Sequence, residues 1–453
     1  MRAPHAEAIN VRYYRSSFVF FCLFLPTTLA AATCAQSAPP QMHVNSQRLQ
    51  STLVKLSEYG RNPDGGVTRL GYSETDMAAR EYVIGLMKEA SLGVRVDPAG
   101  NIFGHRDGSQ KLPVILFGSH IDSVVHGGNY DGDVGSLGAI EVIRALNESN
   151  TKTRHPLEVV VWTNEEGNHF GIGTLGSGIA AGLIGPEILD HKDDQGITFA
   201  EWLRRYRQDP AMLAYARIPQ GALAASLELH IEQGPNLYEK EIPIGVVQGI
   251  VAVRRWACVV SGFANHAGTT PMNRRHDALA AAAKDVLAVR EVVRGETGTQ
   301  VGNVGLMKVE PGAANVIPGR VEFPVELRDL DNAKVVRMWE HVAERFRQTD
   351  KEEGVETHCD ATDEVSSARA DANVQAAIRD AAKSAGLASI DLPSFAGQDS
   401  QNVAKVSPMG MIFVPSKDGI SHSPKEYSSP EDIANGAEVL YRTVVLLDQR
   451  LNP

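Results

Sequence analysis

Gly118-Ser119-His120-Ile121-Asp122, followed by the loop Gly127-Gly128-Asn129-Tyr130-Asp131-Gly132, stands where the apolar run Val114-Ile115-Leu116-Phe117 stops. That run is short, partly β-branched and bounded by Pro113 and Gly118, so it reads as a buried strand. A His and two carboxylates therefore sit at the C-terminal end of a core strand. In an open α/β sheet that edge is where ligands and metals bind. Gly135-Ser136-Leu137-Gly138 opens a helix that runs through Leu146, which makes the local unit strand, ligand loop, helix.

Three further strands point to the same edge. Leu157–Trp162 ends in Thr163-Asn164-Glu165-Glu166-Gly167, Ala225–Glu232 alternates and ends at Gln233-Gly234-Pro235, and Met411–Val414 leads to Ser421-His422-Ser423. Upstream, helices start near Arg48 and Ser73, and Val94–Asp97 pairs with Asn101–Gly104 around Pro98-Ala99-Gly100. Strands alternating with helices predict an α/β fold with a mostly parallel, doubly wound sheet, built from residues 41–248 and 361–453.

Between 249 and 360 the texture changes. Ile250–Val260 reads as a strand, Asp277–Val292 as an Ala-rich helix, Val304–Val309 and Val321–Arg328 as strands, and Ala333–Thr349 as a second helix. This is the pattern of an inserted ferredoxin-like α+β unit, with Pro324 demoting its strand toward an edge.

A chain of 453 residues exceeds a single hydrophobic core and leaves room for two domains. A formal charge of -11 without clustered Lys and Arg argues against nucleic acid as a partner. Arg12 and Arg15 precede the apolar Phe18–Leu25, and the small residues Ala30-Ala31-Ala32 follow, which describes a signal peptide over 1–35, shorter than a membrane span. The mature protein is expected to be secreted or periplasmic, with no membrane span. The leader carries three Arg and one Glu, so its loss takes the charge from -11 to -13. Cys22 and Cys34 fall in or beside it, and Cys258 and Cys359 read as ordinary buried or half-buried thiols rather than a disulfide framework.

His120, Asp131, Glu166, His230 and His422 are the metal candidates. Imidazole mixed with carboxylate suits two Zn²⁺ or Mn²⁺ ions, with Co and Ni as further candidates, and Asp131 is the natural bridge if the ions lie about 3.5–4 Å apart. Any one of these residues taken singly reads more readily as a structural strand-end residue; their convergence is what points to metal. Asp122, two residues beyond His120, can orient its imidazole, the alternative being a turn cap. Glu165 and Glu166 are adjacent, so one serves as ligand and the other faces the substrate as general base. Unpaired charge at the end of an apolar strand would otherwise be costly.

Together, Gly118–Ser123, Asn129–Gly132, Asn164–Gly167, Glu228–Pro235, Asn265-His266-Ala267-Gly268-Thr269-Thr270-Pro271-Met272 and Gly419–Ser423 resemble the hydantoinase/carbamoylase amidohydrolases, from about Leu49 to the C-terminus. That family lies within the co-catalytic metallopeptidases and aminoacylases. The resemblance implies a zinc-exopeptidase-like sheet with the inserted unit as a dimerisation module in a homodimer. It implies two metals held by His120, Asp131, Glu166, His230 and His422, with Glu165 as base and Asp122 in support. His230, where peptidase relatives generally have an acidic ligand, favours the carbamoyl branch. His266 would steady the oxyanion across a dimer interface, and Gln233, Asn315 and Arg328 would bind the substrate, Arg328 taking its carboxylate. Without the resemblance, His266, Asn315 and Arg328 read as surface or turn residues.

One stretch departs from the family pattern. Ser394-Phe395-Ala396-Gly397-Gln398-Asp399-Ser400 stands where the family usually has Ser-Gly-Ala-Gly-His-Asp-Ala, so Phe395 and Gln398 reshape a substrate loop. The expected reaction is hydrolysis of the ureido C–N bond of an N-carbamoyl-L-amino acid or allantoate. An aminoacylase or dipeptidase on the same scaffold, or a non-catalytic binding protein, are the alternatives.

Overall fold

The computed structural model describes residues 42–451 together with Tyr14, Ser16 and Ser17; the rest of the expected leader lies outside the described residues. Walking the chain, β1 (Gly93–Val96), β2 (Ile102–Arg106), β3 (Val114–His120), β4 (Leu157–Trp162), β5 (Leu223–Ile231) and β6 (Ile244–Ile250) come first. Next are β7 (Ala252–Ser261), β8 (Asn265–His266), β9 (Val301–Asn303), β10 (Lys308–Glu310), β11 (Val316–Ile317), β12 (Arg320–Asp329) and β13 (Glu356–Val365). The last three are β14 (Ala368–Arg369), β15 (Ser389–Ser394) and β16 (Met409–Val414).

The main sheet runs β1-β2-β4-β3-β5-β16-β6-β14, with β15 pairing in parallel along the length of β6. Its centre, β4-β3-β5-β16, is parallel throughout, flanked by antiparallel β2 and β6. Parallel strands are covered on both faces, which is why β3, β4 and β16 read as continuous apolar runs. Helices Asp133–Glu148, Ala372–Ser384 and Pro430–Arg450 supply apolar faces to the largest core cluster, among them Leu137, Ile140, Ile378, Val439 and Leu440. The four strands place their C-terminal ends on one edge, where the fold delivers every candidate ligand.

β5 departs from the simplest reading of its alternation. Apolar and polar residues do alternate, yet both faces are buried, because Ser226, Glu228 and His230 face a polar interior rather than water.

The second sheet is antiparallel, in the order β10-β12-β7-β13 with β9 also on β12, and helices Ala278–Gly295 and Asn332–Glu353 pack on it over a separate core. The sequence of elements β7, helix, β9 and β10, β12, helix, β13 matches the ferredoxin-like pattern. Three details correct the sequence reading. The expected strand over 304–309 is two short ones, β9 and β10, separated by residues 304–307. β12 is interior rather than an edge: Pro324 opposes Ala257 of β7, while β9 and β10 pair with residues 326–328 and 320–322 and leave a gap at 323–325, where no partner needs the N–H that proline lacks. The sheet also continues past Asp360 through β13, an edge strand so rich in exposed charge that its sequence carries no strand signal.

The two cysteines are a further correction. Cys258 and Cys359 oppose each other on β7 and β13 and form a disulfide across 101 residues of sequence, a separation at which spacing gives no clue to pairing. Among the described residues, no helix is long and apolar enough to cross a membrane.

Candidate metal centre

Asp131 lies at the middle of the converging strand ends. Its Oδ1 is 3.1 Å from His230 Nε2 and 3.5 Å from His120 Nε2, and its Oδ2 is 3.4 Å from His422 Nε2. His422 Nε2 is also 3.5 Å from Glu166 Oε2. Two ligand groups result, His120–Asp131–His230 and Asp131–Glu166–His422, and within each the donor atoms lie within 4.8 Å of one another. Asp131 belongs to both. The fit to cations is supported by what is left unpaired: His120 Nε2 and Glu166 Oε1 are buried with no hydrogen-bond partner. In a metal-binding protein those are the atoms that coordinate.

The backbone sets each imidazole. His120 Nδ1 lies 3.0 Å from the carbonyl oxygen of Asp122 and His230 Nδ1 lies 3.0 Å from that of Ile231, so in each ring the Nδ1–H donates; Nε2 is then left without a partner in His120, while in His230 it accepts from the Gly132 amide at 3.1 Å. This corrects the role read for the Asp122 side chain. Its Oδ1 is 3.7 Å from His120 Nδ1, while its two oxygens accept from the amides of Glu165 and Glu166, each at 3.1 Å. Asp122 thus clamps the glutamate pair, and its main chain orients the histidine. Gly132 is required beside them: its φ is +65°, and a Cβ there would meet the His120 ring at 2.5 Å.

Left-handed backbone occurs at non-glycine residues around the centre and its cleft, among them Asn164 (φ 52°), Thr174 (φ 51°), Gln233 (φ 57°) and His422 (φ 53°). Such conformations persist where surrounding structure holds them, and they cluster at binding sites.

The electrostatics show negative charge in excess. Burial opposes charge on His120, but Glu165, Asp131 and Asp122 outweigh it and hold its pKa well above the ordinary value. Burial likewise opposes charge on Asp131, and His230, His120 and His422 overcome it and hold the carboxyl well below the usual range. Glu165 is pushed well up by burial, with Glu166, Asp399 and Asp122 adding to it, and Glu166 is pushed up to about 8 by burial and Asp131. His422 rises to about 9 through its hydrogen bond with Asp131. Carboxylates this reluctant to ionise side by side are what a divalent cation in their midst would relieve.

Two acids escaped the sequence reading. Glu426 Oε1 accepts from the amides of Tyr130 and Asp131 at 2.9 and 3.0 Å, and its Oε2 lies 2.8 Å from the Ser421 hydroxyl, which is itself 2.9 Å from Asp131 Oδ2. Burial and Asp131 push its carboxyl up to about 7. Its place four residues past His422 was the available signal. Asp399, fully buried, takes the Ser177 hydroxyl at 2.5 Å and is pushed well up by burial and Glu228.

A cleft of about 440 Å³ opens beside the centre, lined by Asp131, Glu165, Glu166, His422, Gln233 and Gln398 from the main-sheet side and by Arg328, Arg255 and Asp363 from the second sheet. Gln233 Nε2 donates to Asp131 Oδ2 at 2.8 Å, and Gln398 Nε2 donates to Gln233 Oε1 at 2.9 Å. Arg328 donates from Nε to Glu326 and from Nη1 to the Phe395 carbonyl, at 2.7 and 2.6 Å. Arg255 was missed in the sequence, although its alternation with Val253 sets both on one face of β7. His266 and Asn315 do not line this cleft. His266 is exposed, paired with Val316 between β8 and β11, and its Nδ1 accepts from the amides of Gly268 and Thr269; Asn315 is exposed beside it.

Residues 116–445 match the peptidase family M20/M25/M40. The chain is 42% identical over 407 residues to an N-carbamoyl-L-amino acid amidohydrolase of Geobacillus stearothermophilus, covering 90% of this chain and 99% of that one. It is 39% identical to a ureidoglycolate hydrolase of Arabidopsis thaliana, covering 90% and 87%. A crystal structure of a hydantoinase/carbamoylase family amidase from Burkholderia multivorans superposes with a TM-score of 0.84 at 38% identity, over 90% of this chain and 99% of that one. The chain therefore belongs to the peptidase family M20/M25/M40, on its hydantoinase/carbamoylase amidohydrolase branch.

Proposed function

We propose that this protein is a metal-dependent amidohydrolase that cleaves the ureido C–N bond of an N-carbamoyl-L-amino acid or of allantoate. The observation that carries the reading is Asp131, whose two oxygens face two separate ligand groups with Glu165 alongside. His120 and His230 would hold one ion and Glu166 and His422 the other, with Asp131 between them and Zn²⁺ or Mn²⁺ suited to the donors. Bound there, the cations supply Lewis acidity, making a water acidic and polarising the ureido carbonyl.

Glu165 is the proton carrier. Its carboxylate takes a proton from the attacking water as the oxygen adds to the carbamoyl carbon, and returns it to the amino nitrogen as the C–N bond breaks. The amine leaves, and the carbamate decays to carbon dioxide and ammonia. Asp122 holds the carrier in place through the amides of Glu165 and Glu166. Arg328, already aimed by Glu326 and the Phe395 carbonyl, takes the substrate carboxylate through its remaining N–H groups. Gln233 and Gln398 line the binding side.

His266 and Asn315 fit this scheme as groups supplied to the site of a neighbouring subunit, His266 donating to the developing oxyanion. The second sheet, beginning near 249, would then be the dimerisation module of a homodimer. Export to a secreted or periplasmic location is supported by the leader-like N-terminus and by the Cys258–Cys359 disulfide, since such bonds persist in oxidising compartments.

The test is a comparison of matched carbamoyl, N-acetyl and dipeptide derivatives of the same L-amino acid. Turnover confined to the carbamoyl compound is expected. Turnover of the acetyl or peptide compound alone would overturn the reading in favour of an aminoacylase or dipeptidase.

A further inference from the structure

Residues 66–71, between helices Ser46–Leu56 and Glu74–Glu89, run against the loops that carry the candidate ligands. Gly66 packs so closely on Gly127 and on Pro424, two residues past His422, that a Cβ would meet the Gly127 carbonyl oxygen at 2.6 Å and the proline ring at 2.9 Å. Val67 and Gly127 exchange backbone hydrogen bonds, and the Thr68 hydroxyl accepts from the His126 amide at 3.0 Å. Gly71 packs on Asn164, the residue before Glu165, where a Cβ would meet Cα at 2.8 Å.

Arg69, in the middle of this segment, is 1% exposed, as is Asp133. A guanidinium presents five N–H groups in a rigid plane, and here all five are matched. Nε donates to the Ile121 carbonyl at 2.5 Å, Nη1 to the Leu56 and Tyr59 carbonyls at 3.1 and 2.9 Å, and Nη2 to the two carboxylate oxygens of Asp133 at 2.8 and 2.7 Å. The backbone adds a reciprocal pair, Arg69 N–H to Ser123 Oγ and Ser123 N–H to the Arg69 carbonyl, each at 2.9 Å. Ile121 stands between His120 and Asp122, and Asp133 stands two residues past Asp131, with Gly132 packed on the His120 ring between them. One side chain therefore joins the end of β3 to the start of helix Asp133–Glu148.

Stability alone does not account for such a group. Desolvating two ions offsets most of their attraction, and apolar residues of similar volume commonly replace a buried pair without loss. An apolar pair cannot supply a planar fork of fixed length between two loops. From the five matched donors and the segments they join we propose that Arg69 is the positioning residue of the metal centre. It sets the 3.5 Å separation of His120 Nε2 and Asp131 Oδ1 at which one cation is shared, while lying outside the cleft itself. This role presupposes the metal centre read at Asp131 and adds to it a residue that touches neither cation nor substrate.

The test sets divalent-cation affinity, measured by chelator competition with Zn²⁺ and Co²⁺, beside thermal unfolding of the same full-length proteins without metal. Arg69→Lys keeps the charge but offers three donors from one nitrogen, too few for five acceptors on separate segments. Its affinity should fall about tenfold or more, as with other displaced supports of a ligand, and its Co²⁺ visible spectrum should depart from that of the wild type. Leu447→Ala, a buried truncation at the far end of helix Pro430–Arg450, is the control for destabilisation alone: its unfolding midpoint should fall while affinity and spectrum hold. Where Arg69→Lys does not fold, the double variant Arg69→Met, Asp133→Leu decides, since it leaves no buried ion unpaired, and the same loss of affinity is expected. Wild-type affinity and spectrum in the folded variant, or an equal loss of metal in Leu447→Ala, overturns the role of Arg69 and leaves the centre intact. Failure of both Arg69 variants to fold makes the pair a folding requirement and overturns the role as well. Absence of divalent-cation binding by the wild type overturns the centre and the role together.

Discussion

Asp131 shows why the centre depends on single atoms. Its carboxylate receives the His120, His230 and His422 imidazoles from three directions and is backed by Gln233 and Ser421, so neighbouring strands are tied through one side chain. Around it, two substitutions separate holding the metal from using it. Glu165→Gln keeps the shape of the proton carrier but cannot accept a proton. It should lower kcat by about 10²–10⁴-fold while metal content, read by elemental analysis, stays at the wild-type level. Gly132→Ala should do the reverse. It forces a Cβ against the His120 ring in a left-handed conformation that costs about 1–2 kcal/mol, so metal affinity should fall about tenfold or more as with other displaced supports of a ligand. Full metal retention in Gly132→Ala, measured by competition with a chelator, would show that the ring does not sit where this geometry has it. At this scale the candidate ligands that the structure brings together around Asp131 were legible in the sequence because they stand at or beyond the ends of apolar runs. Glu426 and Asp399 were not, since their place beside the cluster depends on burial against partners distant in sequence, and the one local cue was the position of Glu426 four residues past His422.

Among the elements, the second sheet carries two features that can be tested without substrate. Asp285, on the buried face of helix Ala278–Gly295, has neither carboxylate oxygen hydrogen-bonded among the described residues, and burial raises its pKa from 3.8 to about 7. A carboxyl whose folded pKa lies above the unfolded one keeps its proton in the folded state. Its burden is absent below about pH 4, grows as pH rises toward 7, and is constant above that. Asp285→Asn should therefore match the wild type in thermal unfolding near pH 4 and exceed it at pH 8 by about 2–4 kcal/mol. Equal gaps at both pH values would contradict the raised pKa. The disulfide between β7 and β13 closes a loop of about a hundred residues, so the Cys258→Ser, Cys359→Ser double variant should lose about 2–5 kcal/mol. An unchanged unfolding midpoint with and without reductant would show that the thiols are not joined. These strands also mark where sequence patterns stop. β12 hides its interior position behind Pro324, which lies at the gap between β9 and β10, and β13 hides its strand character behind Glu356, Asp360, Asp363 and Glu364.

At the scale of the molecule, the parallel order β4-β3-β5-β16 turns four distant stretches into one edge, and the second sheet adds Arg255, Arg328 and Asp363 as the opposing wall of the cleft. The first half of that arrangement follows from strand–helix alternation, which is strong in this chain. The second half does not, because which face of an antiparallel sheet meets a cleft is decided by packing between units rather than by periodicity. The claim that ties the scales together is that Glu165 performs hydrolysis only when the Asp131 cluster holds divalent cations. The most direct measurement is ammonia release from N-carbamoyl-L-amino acids and allantoate by protein stripped with a chelator, then reloaded with Mn²⁺ or Zn²⁺, alongside Glu165→Gln treated identically. Release that vanishes on stripping, returns on reloading and stays absent in the variant is the expected result. Release that persists in the stripped protein, or in Glu165→Gln at the wild-type rate, would contradict it.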